Sequence, residues 1–210
     1  MQYLYLHGFA SSPQSRKAQY LRDRFAEVDL HLHLLDLNQD DFTHLTITRQ
    51  LQQAQAALPG DRTPVTLIGS SLGGLTAAYL AELSPQVQQL VCLAPAFNFL
   101  DCWLPQIGDA QMQHWSTSGY LSVYHYGAKR LLPLHYKFVL DAQHYDSISL
   151  KKPVSTLILH GQEDEIIPIQ TSQDYAASRS WVKFMSLKSN HALTNVLPEI
   201  WQEIRHFCQL

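Results

Sequence analysis

The sequence predicts an α/β fold in which helices cover both faces of a parallel sheet. Short apolar runs rich in β-branched residues alternate with longer segments of helical periodicity along the 210 residues, and this alternation is typical of βαβ units. One of the apolar runs ends directly in a stretch of glycines and serines, which predicts a tight turn between a strand and a helix. We expect residues 1–210 to form a single domain, because one core of this size is common.

The predicted strands are short and apolar, and they lie at Tyr3–Leu6, Asp29–Leu35, Val65–Ile68, Leu90–Leu93, Thr156–Leu159 and Lys183–Leu187. Every gap between them except one contains apolar residues at helical spacing. These gaps predict helices at Arg16–Ala26, Asp41–Leu58, Gly74–Leu83 and Thr171–Arg179, and a last helix follows at Leu193–Gln209. The second helix is expected to begin at its pair of aspartates, because acidic residues favour a helix N-terminus.

Composition and charge exclude several functional classes. The chain is 46% hydrophobic and 16% charged, with a formal net charge of −3, so it offers no basic surface for nucleic acid or for an anionic membrane. The opening stretch MQYLYLHGFASS lacks a basic region and its apolar run stops at His7, which predicts neither a signal peptide nor a membrane span. We therefore expect a cytoplasmic protein. The three scattered cysteines predict neither a disulfide framework nor a zinc site.

Residues 69–73 read Gly-Ser-Ser-Leu-Gly, and they match the G-x-S-x-G pattern of a nucleophile elbow. The pattern selects Ser71, because centring it on Ser70 would require glycines where Ile68 and Leu72 stand. Small neighbours leave room for the strained turn that such a serine occupies. The same pentapeptide also occurs in phosphate-binding turns and plain connectors, but a strand before it and a helix after it favour the elbow. The first amide of that helix, at Leu72, can stabilise an oxyanion.

A serine nucleophile requires a histidine base and a carboxylate that orients the base. The stretch LILHGQEDEIIP places Asp164 on the loop after the fifth strand, and FMSLKSNHAL places His191 just after the sixth. Asp141 and Asp146 are rival acids, but they lie in a segment without this strand-and-loop context. His160 closes the fifth strand, where a histidine is more often structural than a base.

Four stretches together carry a family resemblance: YLHGFASSPQSRKA, GSSLGG, HGQEDEIIP and SNHAL. With them, nearly the whole chain resembles the α/β-hydrolases, and most closely the YqiA/YcfP-like small bacterial esterases. The resemblance implies a catalytic triad of Ser71, Asp164 and His191, with an oxyanion hole formed by the backbone amides of Phe9 and Leu72. It also implies a compact six-stranded parallel sheet in the order 2-1-3-4-5-6, because the two leading antiparallel strands of larger hydrolases are missing. The site is then expected at the carboxyl ends of the strands, where the order reverses.

Residues 97–153 interrupt the alternation, and they predict an insertion after the fourth strand that caps the active site. Many aromatic side chains lie in this segment, and most of them are expected to pack in the core. Tyr120–Tyr126 and Leu134–Leu140 could pair as a hairpin. No uninterrupted amphipathic helix of the kind that forms a lipase lid is evident.

Other polar residues have simpler interpretations than catalysis. His7, before Gly8, is expected to shape the oxyanion loop rather than to transfer protons. His31 and His33 lie two residues apart on a predicted strand and could share a metal, but no third ligand is suggested nearby, so no metal site is predicted. The two glutamates that flank Asp164, Glu163 and Glu165, are expected to be solvated charges.

Together these residues predict a serine carboxylesterase that hydrolyses short-chain, small-molecule esters through an acyl-enzyme. In this hypothesis Ser71 attacks, His191 takes and returns the proton, and Asp164 orients the imidazole. No cofactor is needed for this chemistry, and neither nucleic acid nor a membrane is an expected partner. Two alternatives stay open: a thioesterase or carbon–carbon bond hydrolase of the same fold, and a non-catalytic ligand-binding protein that retains the fold.

Overall fold

The computed structural model describes residues 1–145 and 149–210. Its strands are β1 (Gln2–Leu6), β2 (Leu32–Leu35), β3 (Val65–Ser70), β4 (Val87–Leu93), β5 (Tyr120–His125), β6 (Arg130–His135), β7 (Ser155–Gly161) and β8 (Val182–Leu187). Its helices are α1 (Arg16–Ala26), α2 (Ile47–Ala56), α3 (Leu72–Leu83), α4 (Phe99–Ile107), α5 (Asp109–Ser118), α6 (Lys137–Gln143), α7 (Ile169–Ala177) and α8 (Leu197–Cys208). Strands and helices alternate except between β4 and β7, where the insertion was predicted.

Within those residues, six strands form one sheet in the order β2-β1-β3-β4-β7-β8, and every neighbouring pair in it is parallel. This confirms the predicted order, because β7 and β8 are the fifth and sixth strands of the prediction. The order reverses at β1, which has β2 on one side and β3 on the other. In such sheets ligands bind outside the carboxyl ends of the strands at the point of reversal.

The sheet separates two layers of buried side chains. On one face α1 and α8 pack through residues that include Leu21, Phe25 and Ile204. On the other face α2 and α3 pack together with the insertion, and Leu51 and Leu80 are among the buried residues there. Burial on both faces is what makes these strands almost continuously apolar. Nowhere in the described chain is a helix both long enough and apolar enough to cross a membrane.

Helix α2 begins later than predicted, at Ile47 instead of Asp41. Thr46 is its N-cap, and the Thr46 side chain accepts a hydrogen bond from the Arg49 amide. Asp41 instead forms a separate turn, in which its carboxylate accepts a hydrogen bond from the His44 amide. The two aspartates of the prediction therefore precede the helix, because a threonine nearer to its apolar stripe supplies the cap.

The hairpin of the insertion is present, but its second strand was placed too late in the chain. The observed β6 pairs antiparallel with β5, and Tyr120 lies opposite His135. This register directs Leu121 and Leu134 into the core, where both are buried. The residues after His135 form α6 instead of a strand, because they pack Phe138 and Val139 on the core at helical spacing.

Aromatic residues of the insertion divide into a buried set and an exposed set. Trp115 is fully buried, and its indole N–H donates to the Leu134 carbonyl over 2.9 Å. Tyr120, Tyr124 and Tyr126 are exposed on the hairpin, with 71% of Tyr126 accessible. Core packing therefore explains Trp115 and Phe138, and Trp103, Tyr136 and Tyr145 pack against the same core. Most of these aromatics thus pack in the core as expected, and the three tyrosines of the hairpin do not.

Candidate active site

Ser71 lies in a strained turn between β3 and α3. Its backbone angles are φ 53° and ψ −122°. Residues other than glycine rarely adopt this conformation, and it persists only where the surrounding structure enforces it. The Ser71 amide donates to the Leu93 carbonyl of β4 over 2.9 Å. A Cβ atom at Gly69 would lie 2.4 Å from the Gly73 carbonyl oxygen, so only glycine fits there. The local geometry is therefore that of a nucleophile elbow.

The structure joins Ser71, His191 and Asp164 in one chain of hydrogen bonds. His191 Nε2 lies 3.0 Å from Ser71 Oγ, and His191 Nδ1 lies 2.8 Å from Asp164 Oδ2. The three residues follow β3, β8 and β7, whose carboxyl ends meet at one edge of the sheet. The His191 side chain is 18% exposed and that of Asp164 is fully buried. The arrangement can therefore move a proton from a serine hydroxyl to an oriented imidazole.

Four hydrogen-bond donors surround the Asp164 carboxylate. Asp164 Oδ1 accepts from the backbone amides of Ile166 and Ile167 at 3.0 and 2.8 Å. Its Oδ2 accepts from His191 Nδ1 and lies 3.0 Å from His160 Nε2. Burial alone would raise the pKa of this carboxyl, but the hydrogen bonds from His160, His191 and Ile167 outweigh burial and hold the pKa well below its usual range. The carboxylate therefore stays ionised at neutral pH.

The amides of Phe9 and Leu72 border the elbow. Neither has an acceptor among the turn, loop and cap hydrogen bonds of residues 1–145 and 149–210. Leu72 is the first residue of α3, so its amide is one of those that a helix leaves unpaired. A Cβ atom at Gly8 would lie 3.2 Å from Ser71 Cβ, so the loop that contains Phe9 runs directly past the serine. Both predicted oxyanion donors thus lie beside Ser71, and their role stays a prediction.

His7 holds the start of this loop. The Leu37 amide donates to His7 Nε2 over 3.1 Å, so the proton of the neutral ring lies on Nδ1. His7 Nδ1 is 2.9 Å from the Gly8 carbonyl and donates to it. Both ring nitrogens are occupied by backbone groups, which agrees with the expected shaping role.

Two charged residues beside the site were not selected from the sequence. Glu165 is exposed, as expected of a solvated charge, and its Oε2 also accepts a hydrogen bond from the His191 amide over 3.2 Å. Lys17 lies near Asp164 at the start of α1; burial lowers the pKa of its ammonium to about 8, and the charge of Asp164 opposes that shift. Neither residue belongs to a recognisable sequence motif, because its position beside the site depends on how separate loops pack together.

Asp141, one of the two rival acids, does not join the chain of hydrogen bonds. Asp141 instead lies against the start of α2, where its carboxylate accepts from both the amide and the hydroxyl of Thr48 at 2.9 and 2.6 Å. Asp146 lies outside the described residues.

His31 and His33 have their ring centroids 4.2 Å apart, and no group of three or more potential metal ligands occurs in the described part of the chain.

The insertion contacts two of the loops that build the site. The Phe9 ring packs against three aromatic rings of the insertion at centroid distances of 5.0 to 6.1 Å, namely Phe99, Trp103 and Phe138. On the hairpin, the Tyr126 amide donates to the Ala10 carbonyl over 2.8 Å. On α4, Gln106 Nε2 donates to the Ile166 carbonyl over 3.3 Å. The insertion therefore rests on the oxyanion loop and on the acid loop.

A cavity of about 540 Å³ lies between α3, α4 and α7. Its described lining is mixed, with Leu75 and Phe97 beside Asp101 and Arg179, and it includes none of the three residues of the hydrogen-bonded chain. The Arg179 guanidinium donates to the Leu150 carbonyl and lies over the Tyr175 ring. We therefore do not assign this cavity to the site.

Comparisons with known proteins identify one curated relative and several solved structures of similar fold. Among curated proteins, the human mitochondrial palmitoyl-protein thioesterase ABHD10 is 30% identical over 117 residues, which are 54% of this chain and 38% of that protein. The match thus spans less than half of the length of this curated relative.

Solved structures match over almost the entire chain. Mouse ABHD10 has a TM-score of 0.81 at 19% identity, covering 99% of this chain and 89% of the mouse chain. Est1E from Butyrivibrio proteoclasticus has a TM-score of 0.78 at 19% identity, covering 99% of this chain and 86% of its own. At these identities the likeness shows the fold. Their fold is that of the α/β-hydrolases. Residues 2–209 match the uncharacterised protein family UPF0227, so the chain belongs to that family.

Proposed function

We propose that this protein is a serine hydrolase that cleaves carboxylic esters through an acyl-enzyme on Ser71. The observation that carries the proposal is the hydrogen-bonded chain from Ser71 Oγ through His191 to Asp164, with distances of 3.0 and 2.8 Å. A serine hydroxyl is a weak nucleophile until a neighbouring base removes its proton. His191 is oriented for that task by a carboxylate that burial keeps away from water.

The reaction follows from these contacts. Ser71 Oγ attacks the carbonyl carbon of the ester while its proton passes to His191 Nε2. The resulting oxyanion accepts hydrogen bonds from the Phe9 and Leu72 amides, and a single such donor contributes about 10²- to 10³-fold to kcat. His191 then protonates the leaving alcohol. Water, deprotonated by the same imidazole, releases the acid and restores Ser71.

The insertion at residues 97–153 is proposed to cap this site and to set which acyl groups enter. Its ring contacts with Phe9 and its hydrogen bond to Ile166 place it against both loops. Its helices α4 and α5 are short, and Gly108 separates them with φ at 81°. A long amphipathic lid that could lie on a lipid surface is therefore not formed by these two helices. We accordingly propose short-chain, water-soluble esters as the substrates.

Thioester hydrolysis is a second candidate for the same residues. The observation that favours it is the similarity to human ABHD10, a palmitoyl-protein thioesterase that is 30% identical over the matched 117 residues. The same serine and oxyanion donors can act on either carbonyl, since one elbow serves many leaving groups. Comparison of p-nitrophenyl butyrate with butyryl- and palmitoyl-coenzyme A separates the two candidates.

Hydrolysis of p-nitrophenyl butyrate by the wild type, Ser71→Ala and Ser70→Ala tests the proposal. We expect Ser71→Ala to lose about 10⁴-fold or more in kcat, because the nucleophile is removed. Ser70→Ala is the matched control, since it changes the neighbouring hydroxyl and keeps the nucleophile. A wild type without activity on any ester or thioester, or a fully active Ser71→Ala, would contradict the proposal.

A further inference from the structure

A second histidine reaches the acid from inside the protein. His160, at the end of β7, is fully buried, and its Nε2 lies 3.0 Å from Asp164 Oδ2. The same nitrogen lies 3.0 Å from the Ile167 carbonyl oxygen. The other ring nitrogen, Nδ1, lies 2.7 Å from the hydroxyl of Ser172, which α7 buries completely. His160 and His191 thus contact the same carboxylate oxygen.

The partners of His160 define its tautomer. A carboxylate oxygen and a carbonyl oxygen can only accept, so Nε2 must carry the proton and donate. In the neutral ring Nδ1 then has a lone pair, and the Ser172 hydroxyl donates to it. Both groups are buried, so no solvent competes for these hydrogen bonds.

Because His160 contacts the carboxylate oxygen that also binds His191, it can fix the orientation of the Asp164 carboxylate. Asp164 Oδ1 is held by two backbone amides. Its Oδ2 accepts from His191 and lies 3.0 Å from His160 Nε2, whose N–H is shared with the Ile167 carbonyl. A buried carboxylate with all of these donors in place has no alternative orientation of similar energy, because rotation would leave an N–H unpaired. Hydrogen bonding from His160 is also the strongest of the effects that hold the pKa of Asp164 low.

We propose that His160 is a positioning residue for the reaction: its Nε2–H holds Asp164 Oδ2 toward His191, and Ser172 holds His160. The inference rests on the proposed function, because positioning has a kinetic meaning only if His191 acts as the base. His160 itself is buried behind Asp164 and does not contact Ser71.

The expected kinetic effect is intermediate in size. A hydrogen bond to a charged, buried group corresponds to a loss of about 10- to 100-fold in kcat when it is removed. KM is expected to stay unchanged, because His160 has no surface in the site. The loss is smaller than that expected for removal of the base itself.

Three substitutions at one position separate positioning from packing. In His160→Gln the amide nitrogen falls near the place of Nε2 and keeps a donor for Asp164. In His160→Asn it falls near the place of Nδ1, so the donor to Asp164 is lost, and His160→Phe keeps the ring but removes both contacts. We expect Asn and Phe to lower kcat about 10- to 100-fold at constant KM, and Gln to restore most of the rate. Circular dichroism establishes that each variant is folded.

A spectrum of the unmodified protein tests the same hydrogen bond without any assay. Long-range ¹H–¹⁵N correlation of the wild type, with the His160 signals assigned by their absence in His160→Gln, reports which ring nitrogen is protonated. The Nε2–H tautomer is expected, and the Nδ1–H tautomer would overturn the proposal. Wild-type rates in a folded His160→Phe, or a folded His160→Gln as slow as His160→Phe, would also overturn it. If the wild type proves to have no hydrolase activity, the proposed function fails, whereas the tautomer still tests the buried hydrogen bonds of His160.

Discussion

The loops at the carboxyl edge of the sheet and the insertion at residues 97–153 are held in different ways. In the edge loops, hydrogen bonds orient single polar side chains: Asp164 has four donors, and the His191 amide is held by Glu165. In the insertion, ring packing around Phe9 dominates, with Trp103 at a centroid distance of 5.0 Å. Hydrogen bonds define positions sharply, whereas ring packing tolerates adjustment. We infer that the edge loops set the rate and that the insertion sets the range of acyl groups.

Removal of the base is expected to have a large effect. His191→Ala removes the group that takes the proton from Ser71, and we expect kcat to fall by about 10³-fold or more. Because His191 lies on a loop and is partly exposed, the variant should remain folded by circular dichroism. Ester hydrolysis with a series of substrate concentrations measures the effect. A folded His191→Ala variant with wild-type kcat would show that His191 is not the base.

A pair of aspartates compares the two regions directly. Asp164→Asn places an amide against two histidine donors, so we expect kcat to fall by about 10³-fold or more. Asp141→Asn changes the carboxylate that caps α2 from the insertion; we expect it to leave kcat within about twofold and to cost about 1 kcal/mol of unfolding free energy. Kinetics and urea unfolding of both variants measure this. The opposite pattern would show that the acid comes from the insertion.

Acyl-chain length tests the insertion itself. Each further buried methylene contributes about 0.8 kcal/mol only while a pocket receives it, so we expect kcat/KM on p-nitrophenyl esters to peak at about C2 to C6. Trp103→Ala should move the peak to longer chains, since it removes a ring that packs on Phe9. Tyr126→Ala, at a 71% exposed position of the same insertion, is the matched control and should keep the profile. A wild-type maximum at C12 or longer, or a jump in rate above the solubility limit of the substrate, would show that the insertion is a lipid-binding lid.

The smallest effect concerns stability at low pH. Folding depresses the pKa of the Asp164 carboxyl. In the unfolded chain an aspartate has a pKa of about 3.9, so the carboxyl loses its proton more readily in the folded protein. The stabilisation is present above that pH and is lost as the pH falls toward the folded pKa. We expect the difference in unfolding free energy between the wild type and Asp164→Asn to narrow from about pH 6 to about pH 3. A difference that widens over that range would contradict the depressed pKa.

The difference between the edge loops and the insertion also explains how much of the fold and of the site could be predicted from the sequence. The positions of Ser71, Asp164 and His191 follow from local patterns, because each residue lies on the loop after a strand that is apolar enough to recognise. The order of the sheet was implied by the family resemblance. The register of the hairpin depends on which leucines reach the core, and no turn motif marks it. The contact of His160 with Ser172 joins β7 to α7, so it depends on packing. The i, i+4 spacing of His160 and Asp164 was the one available hint.

Identification of the residue that reacts with a fluorophosphonate probe tests the central claim most directly. Such probes modify a serine only when a base activates it and an oxyanion hole receives the phosphoryl oxygen. Mass spectrometry of the labelled peptide is expected to place the adduct on Ser71, and Ser71→Ala should lose labelling while Ser70→Ala retains it. Modification of Ser70 instead, or no modification of the folded wild type, would contradict the account.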